Sequence, residues 1–207
     1  MSLEEFHRNF RSDLQATIAE RIQAGEGPFP SEELVFAEKV MEHVAETGIC
    51  EEPVVCHWNG KVGNARLRIT GYAISADETA LDLFVTHYFG TENLQDLADS
   101  DATATASEGV RFLFRAASGN LDARIDPTHS VRDLVATIRS RWADIDRLRV
   151  FVITDGKTKT KRFSNKEVHD KMVAIEAMDM ERLFRHTDGK PRDELSLSLV
   201  QSIGRPL

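Results

Sequence analysis

The chain has 207 residues, 41 % of them hydrophobic, enough to bury a sizeable core within one domain. Its formal net charge of −8 argues against a protein that coats nucleic acid through its overall field. No apolar run approaches the roughly eighteen residues of a membrane span, and the acidic amphipathic start is unlike a secretory leader. A bacterial-type cytoplasm with reduced cysteines is therefore expected.

Leu3, Phe6, Phe10, Leu14, Ile18 and Ile22 form one helical stripe, and Ser2 with Glu5 has the spacing of a capping box. Gly25, Gly27, Pro28 and Pro30 close that helix. Ser31 is placed to cap a second one, whose face carries Leu34, Ala37, Val40, Met41 and Val44 as far as Gly48. Pro53 precedes a short apolar run, Val54 to Trp58, and Asn59-Gly60 reads as a tight turn into the next strand.

From Arg66 to Tyr88 two strand-like runs follow each other. Leu67 and Ile69, then Leu81, Leu83 and Val85, sit at every second position, and residues 75–79 supply a polar turn. This hairpin is expected at the centre of a mixed sheet with helices on both faces. The Thr-, Ala-, Asp- and Ser-rich stretch from Gly90 to Ser107 reads as a loop leading into a helix marked by Ala106, Val110, Leu113, Phe114 and Ala117. A further helix carries Val131, Leu134, Val135, Ile138 and Trp142. Leu148 to Thr154 is continuously apolar, the pattern of a central strand covered on both sides. Phe151 and Ile153 are expected to share one core with Leu83 and Val85. Asp155-Gly156 then turns the chain, Val173 to Met178 forms a strand, Asp179 caps a short helix, and Leu195, Leu197 and Leu199 alternate as a last half-buried strand.

Few stretches carry chemistry. Cys50, Cys56 and His57 are of zinc-ligand type, but their spacing is poor and no second cysteine pair exists, so two small apolar thiols beside a strand are the better account. Lys157, Lys159, Lys161 and Arg162 form the one dense basic cluster, suited to phosphate contact, although a solvated turn is the commoner meaning of such a run. No nucleoside-phosphate loop, nucleophile elbow or H-E-x-x-H helix occurs. Of the seven histidines, only His87 lies inside a strand near the sheet centre; His43, on a helix face beside Glu42, reads as a surface residue.

Taken in order, MSLEEFHRNF, TGYAISADETALDLFVTHYFG, RLRVFVITDG, MDMERLFR and IGRPL resemble the N-terminal region of the AIPR family, the abortive-infection phage-resistance proteins. The resemblance implies one α/β domain over residues 1–207, with a central mixed β-sheet flanked by helices, restriction-endonuclease-like, at the front of a longer protein. In the PD-(D/E)xK pattern of that fold, hairpin acids and a Lys hold Mg²⁺ and activate water. Here Thr70 and Val85 fall at the acids and His87 at the Lys, so the resemblance implies a degenerate site with no catalytic or metal-binding residues and no cofactor. The expected function is a non-catalytic recognition or scaffolding domain for phage defence, touching nucleic acid through Lys157, Lys159, Lys161 and Arg162. One alternative is a Mg²⁺-dependent nuclease using displaced carboxylates, with Asp82, Glu38 and Glu42 as candidates. The other is a protein-interaction module that binds no nucleic acid.

Overall fold

The computed structural model describes residues 1–25 and 31–187. Leu195, Leu197, Leu199 and the closing IGRPL, with Gly27, Pro28 and Pro30, lie outside the described residues. In chain order the elements are α1 (Leu3–Ala24), α2 (Glu32–Glu46), β1 (Pro53–Val62), β2 (Ala65–Ile74), β3 (Ala80–His87), β4 (Asp96–Leu97), α3 (Asp99–Ala117), α4 (Val131–Arg141), β5 (Arg147–Thr154), β6 (Lys157–Thr158), β7 (Arg162–Val168), β8 (Lys171–Met178) and α5 (Met180–Thr187).

Six strands form one mixed sheet in the order β1-β2-β3-β5-β8-β7, while β4 and β6 pair separately. Neighbours run antiparallel from β1 to β3 and between β8 and β7, whereas β3, β5 and β8 are parallel. The expected α/β architecture, with a mixed sheet and five helices among the described residues, is what the chain forms. No helix among these residues is long and apolar enough to cross a membrane.

Local chemistry explains most boundaries. The capping box at Ser2 and Glu5 is made, with Glu5 N–H donating to Ser2 Oγ at 3.2 Å and Ser2 N–H to Glu5 Oε2 at 2.8 Å. Gly25, at φ 71°, closes α1 in the left-handed region. Ser31 precedes α2 as expected, but its carbonyl accepts the first helical N–H groups and its side chain makes no capping bond. Asp77 holds the β2–β3 turn by accepting from Ser75 Oγ at 2.6 Å and Thr79 N at 3.1 Å. Bonds from Ser75 and Thr79 lower its carboxyl pKa to about 2.

Three expectations need correction. Asn59-Gly60 is no turn: both residues lie inside β1, paired with Arg68 and Leu67, and the chain reverses between Val62 and Ala65, at Gly63 (φ 61°) and Asn64. Helix α3 begins at Asp99, well before Ala106, and buries Ala102, Thr105, Ala106 and Gly109. These residues are small because the helix lies close to the sheet; a Cβ added at Gly109 would sit 2.6 Å from Val85 Cγ2. Nor do Phe151 and Ile153 share a core with Leu83 and Val85. The sheet separates two cores: Leu83, Val85 and Val150 face α3 and α4, while Phe84, Phe151 and Ile153 face α1, α2 and α5. Phe84 and Phe151 stack on the latter face with ring centroids 5.4 Å apart. There α2 approaches as closely, since a Cβ at Gly71 would lie 2.5 Å from Met41 Sδ.

Candidate functional site

The hairpin that carries the expected site does not stay paired along its length. β2 and β3 form ladder pairs from Gly71–Phe84 to Ile74–Leu81. Beyond them β1 shifts register between Val55 and Trp58, placing Cys56 and His57 opposite Thr70, and side chains take over the bonding between β2 and β3. Thr70 Oγ1 accepts from Thr86 N at 3.2 Å and from Thr86 Oγ1 at 3.0 Å. Thr70 is wholly buried in this arrangement.

Arg68 fills the gap where the strands part. It donates from Nη2 to the Thr86 carbonyl at 2.6 Å, and its guanidinium lies between two carboxylates from opposite sides of the sheet. Glu108 of α3 is 3.0 Å away (Nε to Oε2) and Glu33 of α2 is 3.5 Å away (Nη1 to Oε1). The Nε–H is not aimed at Glu108 Oε2, so both buried atoms have an ionic contact without a hydrogen bond. The three side chains are 14–31 % exposed and line an open cleft of about 340 Å³ with Arg66, His87, Tyr88, Asp101 and Thr105. His87 Nδ1 is within hydrogen-bonding distance of Thr105 Oγ1, 3.2 Å. Tyr88 donates to Glu32 Oε2 at 3.2 Å, and burial, then the Glu32 charge, push its phenol above the ordinary range.

The expected hairpin trio is therefore split. Thr70 bonds toward Thr86, whereas Val85 packs against Gly109 of α3. His87 lies on the α3 side with Val85 and reaches the cleft.

The displaced acids are apart as well. Asp82, 2 % exposed, lies four residues back along β3 from Thr86, about 13 Å at the usual strand rise. Its two oxygens receive Arg149 Nε and Nη2, each at 2.7 Å, and Arg149 also donates to the Ile49 carbonyl. Glu38 pairs with Arg21 of α1 at 2.7 Å. Glu42 is exposed on a groove with Asp13, Lys39 and His43. Among the described residues, no three His, Cys, Asp or Glu side chains are grouped to hold a metal ion.

Cys50 and Cys56 sit in different cores, on opposite faces of the sheet. Burial, then the nearby Asp82 charge, raises the Cys50 thiol pKa to about 11; burial also raises that of Cys56.

The basic cluster runs from β6 through the following connection to the start of β7 and is largely paired. Lys161 bonds the Asp179 carboxylate, Glu181 at 2.9 Å and the Thr158 carbonyl at 2.6 Å. Lys157 lies 3.4 Å from Asp96, and Arg162 lies 3.9 Å from Glu176. Lys159 is exposed.

Sequence reading missed Arg68, Glu33 and Glu108. They lie 35 or more residues apart, so no spacing pattern could group them. The geometry defines a three-layer α/β domain whose hairpin opens into a cleft occupied by an arginine. The chain matches the family model described as the abortive infection phage resistance protein N-terminal domain over residues 36–185, and it belongs to that family. That span runs from α2 into α5 and leaves α1 outside. Neither the curated proteins nor the solved structures contain a match to the chain.

Proposed function

We propose that this domain is a non-catalytic recognition or scaffolding module of an abortive-infection phage-defence protein, working in the bacterial cytoplasm as the front part of a longer polypeptide. Family membership supports the defence role. The lack of catalysis is supported chiefly by one observation: Arg68 occupies the space between Glu33 and Glu108.

A divalent ion in a nuclease site is held by anionic oxygens that converge from several elements. Glu33 from α2 and Glu108 from α3 meet that description at the open end of the hairpin, but the cation between them is a guanidinium fixed to the β3 backbone. Its charge offsets one of the two carboxylates, and Arg66, 3.8 Å from Glu108, supplies a second positive charge beside them. The fold reading that accompanies this proposal is a degenerate endonuclease-like one, supported by the succession of α2, the strands β1 to β3, the helices α3 and α4 and then β5, and by the place of the cleft on the hairpin.

Nucleic acid would be met through Lys157, Lys159 and Arg162, which are exposed, rather than through Lys161, which is held by Asp179 and Glu181. Such contacts would follow phosphate and not base identity.

The test is incubation of the purified chain with supercoiled plasmid or single-stranded DNA and Mg²⁺ or Mn²⁺. Intact DNA is the expected result. Metal-dependent cleavage that disappears in Glu33→Gln or Glu108→Gln would replace this reading with a nuclease one.

A further inference from the structure

The β7–β8 hairpin closes through a two-residue turn, His169-Asp170, between the paired residues Val168 and Lys171. His169 has a φ of 54°, a left-handed backbone that is uncommon outside glycine, with Asn, Asp and His the commonest exceptions. Its ring stacks on Phe114 of α3, with centroids 4.7 Å apart and planes 16° apart, and its Nε2 is 3.0 Å from Ser118 Oγ. Trp142, just after α4, meets the same ring edge-on at 5.8 Å. The indole is itself positioned, donating from Nε1 to Asp170 at 3.2 Å and lying 5.8 Å from the Lys171 ammonium, which donates to the Ile145 carbonyl at 2.7 Å. Three aromatic rings from separate segments therefore meet at one corner of the domain.

A ring cluster that only sealed the core would be buried, and this one is open. His169 is exposed, and Phe114, at 40 %, is one of the few large apolar side chains left to solvent. The charge beside the rings is mostly positive. Arg115 lies over Phe114, with Cζ 5.8 Å from the ring centroid. Lys166, exposed on β7, pairs across the ladder with Val173 of the core under α3, so it stands on the α3 side of the sheet while Glu167 faces the other way. The carboxylate of the turn, Asp170, is already engaged by Trp142, and that bond lowers its pKa. From this corner β7 runs back, as the edge strand among the described residues, to Arg162, about 23 Å at the usual strand rise. The register shift between Phe163 and Lys166 leaves Ser164 and Asn165 exposed between the two cations.

We propose that a single strand of nucleic acid lies along β7 and the neighbouring flank of α3, its backbone following Arg162, Lys166 and Arg115 and a base stacked on the Phe114–His169 pair. The inference rests on the reading that the domain meets nucleic acid at the basic turn, and it gives that contact a direction and a substrate class. Unpaired bases offer the ring faces that an aromatic platform holds, whereas a duplex keeps those faces stacked on one another. Cations in line with exposed rings are the two elements of single-strand grooves, and stacking tolerates any base because every base has a π-face. With a net charge of −8 the chain repels a polyanion over most of its surface, which concentrates such a ligand on this stripe.

Titrating the 207-residue chain with an oligothymidylate of about twelve nucleotides, following tryptophan fluorescence and the anisotropy of a labelled copy, tests the proposal. Of the two tryptophans Trp58 is buried and Trp142 half-buried, so quenching reports on the corner. Saturable quenching is expected, with an affinity that falls with salt at a log–log slope of about −2, as three phosphate contacts on a single strand require. Phe114→Leu keeps the helix surface apolar but removes the ring; it should bind about tenfold more weakly with the slope unchanged. Arg115→Ala/Lys166→Ala should weaken binding and reduce the slope to about −0.7. Phe114 and Lys166 are exposed and Arg115 is half-buried, so both variants should keep the urea midpoint of the parent. Binding that leaves Trp142 unquenched and survives both variants, but is lost in Lys157→Ala/Lys159→Ala, would overturn the proposal and leave the basic-turn reading standing. Equal or tighter binding of a duplex of the same length would overturn it in favour of contacts to paired DNA. No binding of any oligonucleotide would overturn it together with the reading it rests on.

Discussion

Asp82 illustrates how one acidic residue admits two readings until its neighbours are known. On the sequence it is a carboxylate inside the hairpin, available to a metal; in the fold it is 2 % exposed and bonded through both oxygens to Arg149. Removing one partner of a buried ion pair typically costs about 3–5 kcal/mol, because the other charge is left unmet. Asp82→Ala should therefore lower the urea midpoint sharply and strand Arg149, with no effect on metal binding. A metal-binding change without loss of stability would contradict the structural role. Cys50 beside this pair should be inert: with its thiol pKa raised to about 11, labelling of the native protein near pH 8 should be limited by unfolding. Labelling as fast as in the denatured chain would show that the thiol is open.

The strand-level pattern was legible where periodicity was strong. Leu81, Leu83 and Val85 do share a face, and the apolar run Leu148 to Thr154 is an interior strand. What misled was local chemistry that tertiary contacts override. Asn59-Gly60 is a good turn dipeptide, but Trp58 and Leu67 bury themselves only if β1 continues to Val62. The start of α3 was hidden because close approach to β2 and β3 selects small residues, leaving too few large apolar ones to mark a stripe. Gly109 offers a test at this scale. In an exposed helix Gly→Ala gains about 1 kcal/mol, whereas overpacking a core costs about 1–3 kcal/mol. With Val85 Cγ2 2.6 Å from the added Cβ, Gly109→Ala should lower the melting temperature, and a rise would show that α3 can move away.

At the scale of the whole molecule, the two cores make the sheet the shared wall of the domain. Phe151 is wholly buried on the α1–α2–α5 side, so Phe151→Ala should cost roughly 3–5 kcal/mol; a urea midpoint near that of the parent would remove it from the core. Acid should also weaken the fold. Burial holds the pKa values of His7, His43 and His57 below the usual 6.5, so the unfolded chain takes up these protons before the native one does. Their contribution is complete above about pH 6.5 and is lost as the pH falls from there. A urea midpoint unchanged between pH 7.5 and 5.5 would contradict that linkage. The cleft was the least legible part, because Glu33, Arg68 and Glu108 become neighbours only when α2 and α3 close on the open hairpin from opposite faces. Its occupation by Arg68 is the central claim, and calorimetric titration of the chain with Mg²⁺ and Mn²⁺ tests it most directly. The account predicts no saturable binding heat at the cleft. Stoichiometric binding that Glu33→Gln or Glu108→Gln abolishes would contradict it.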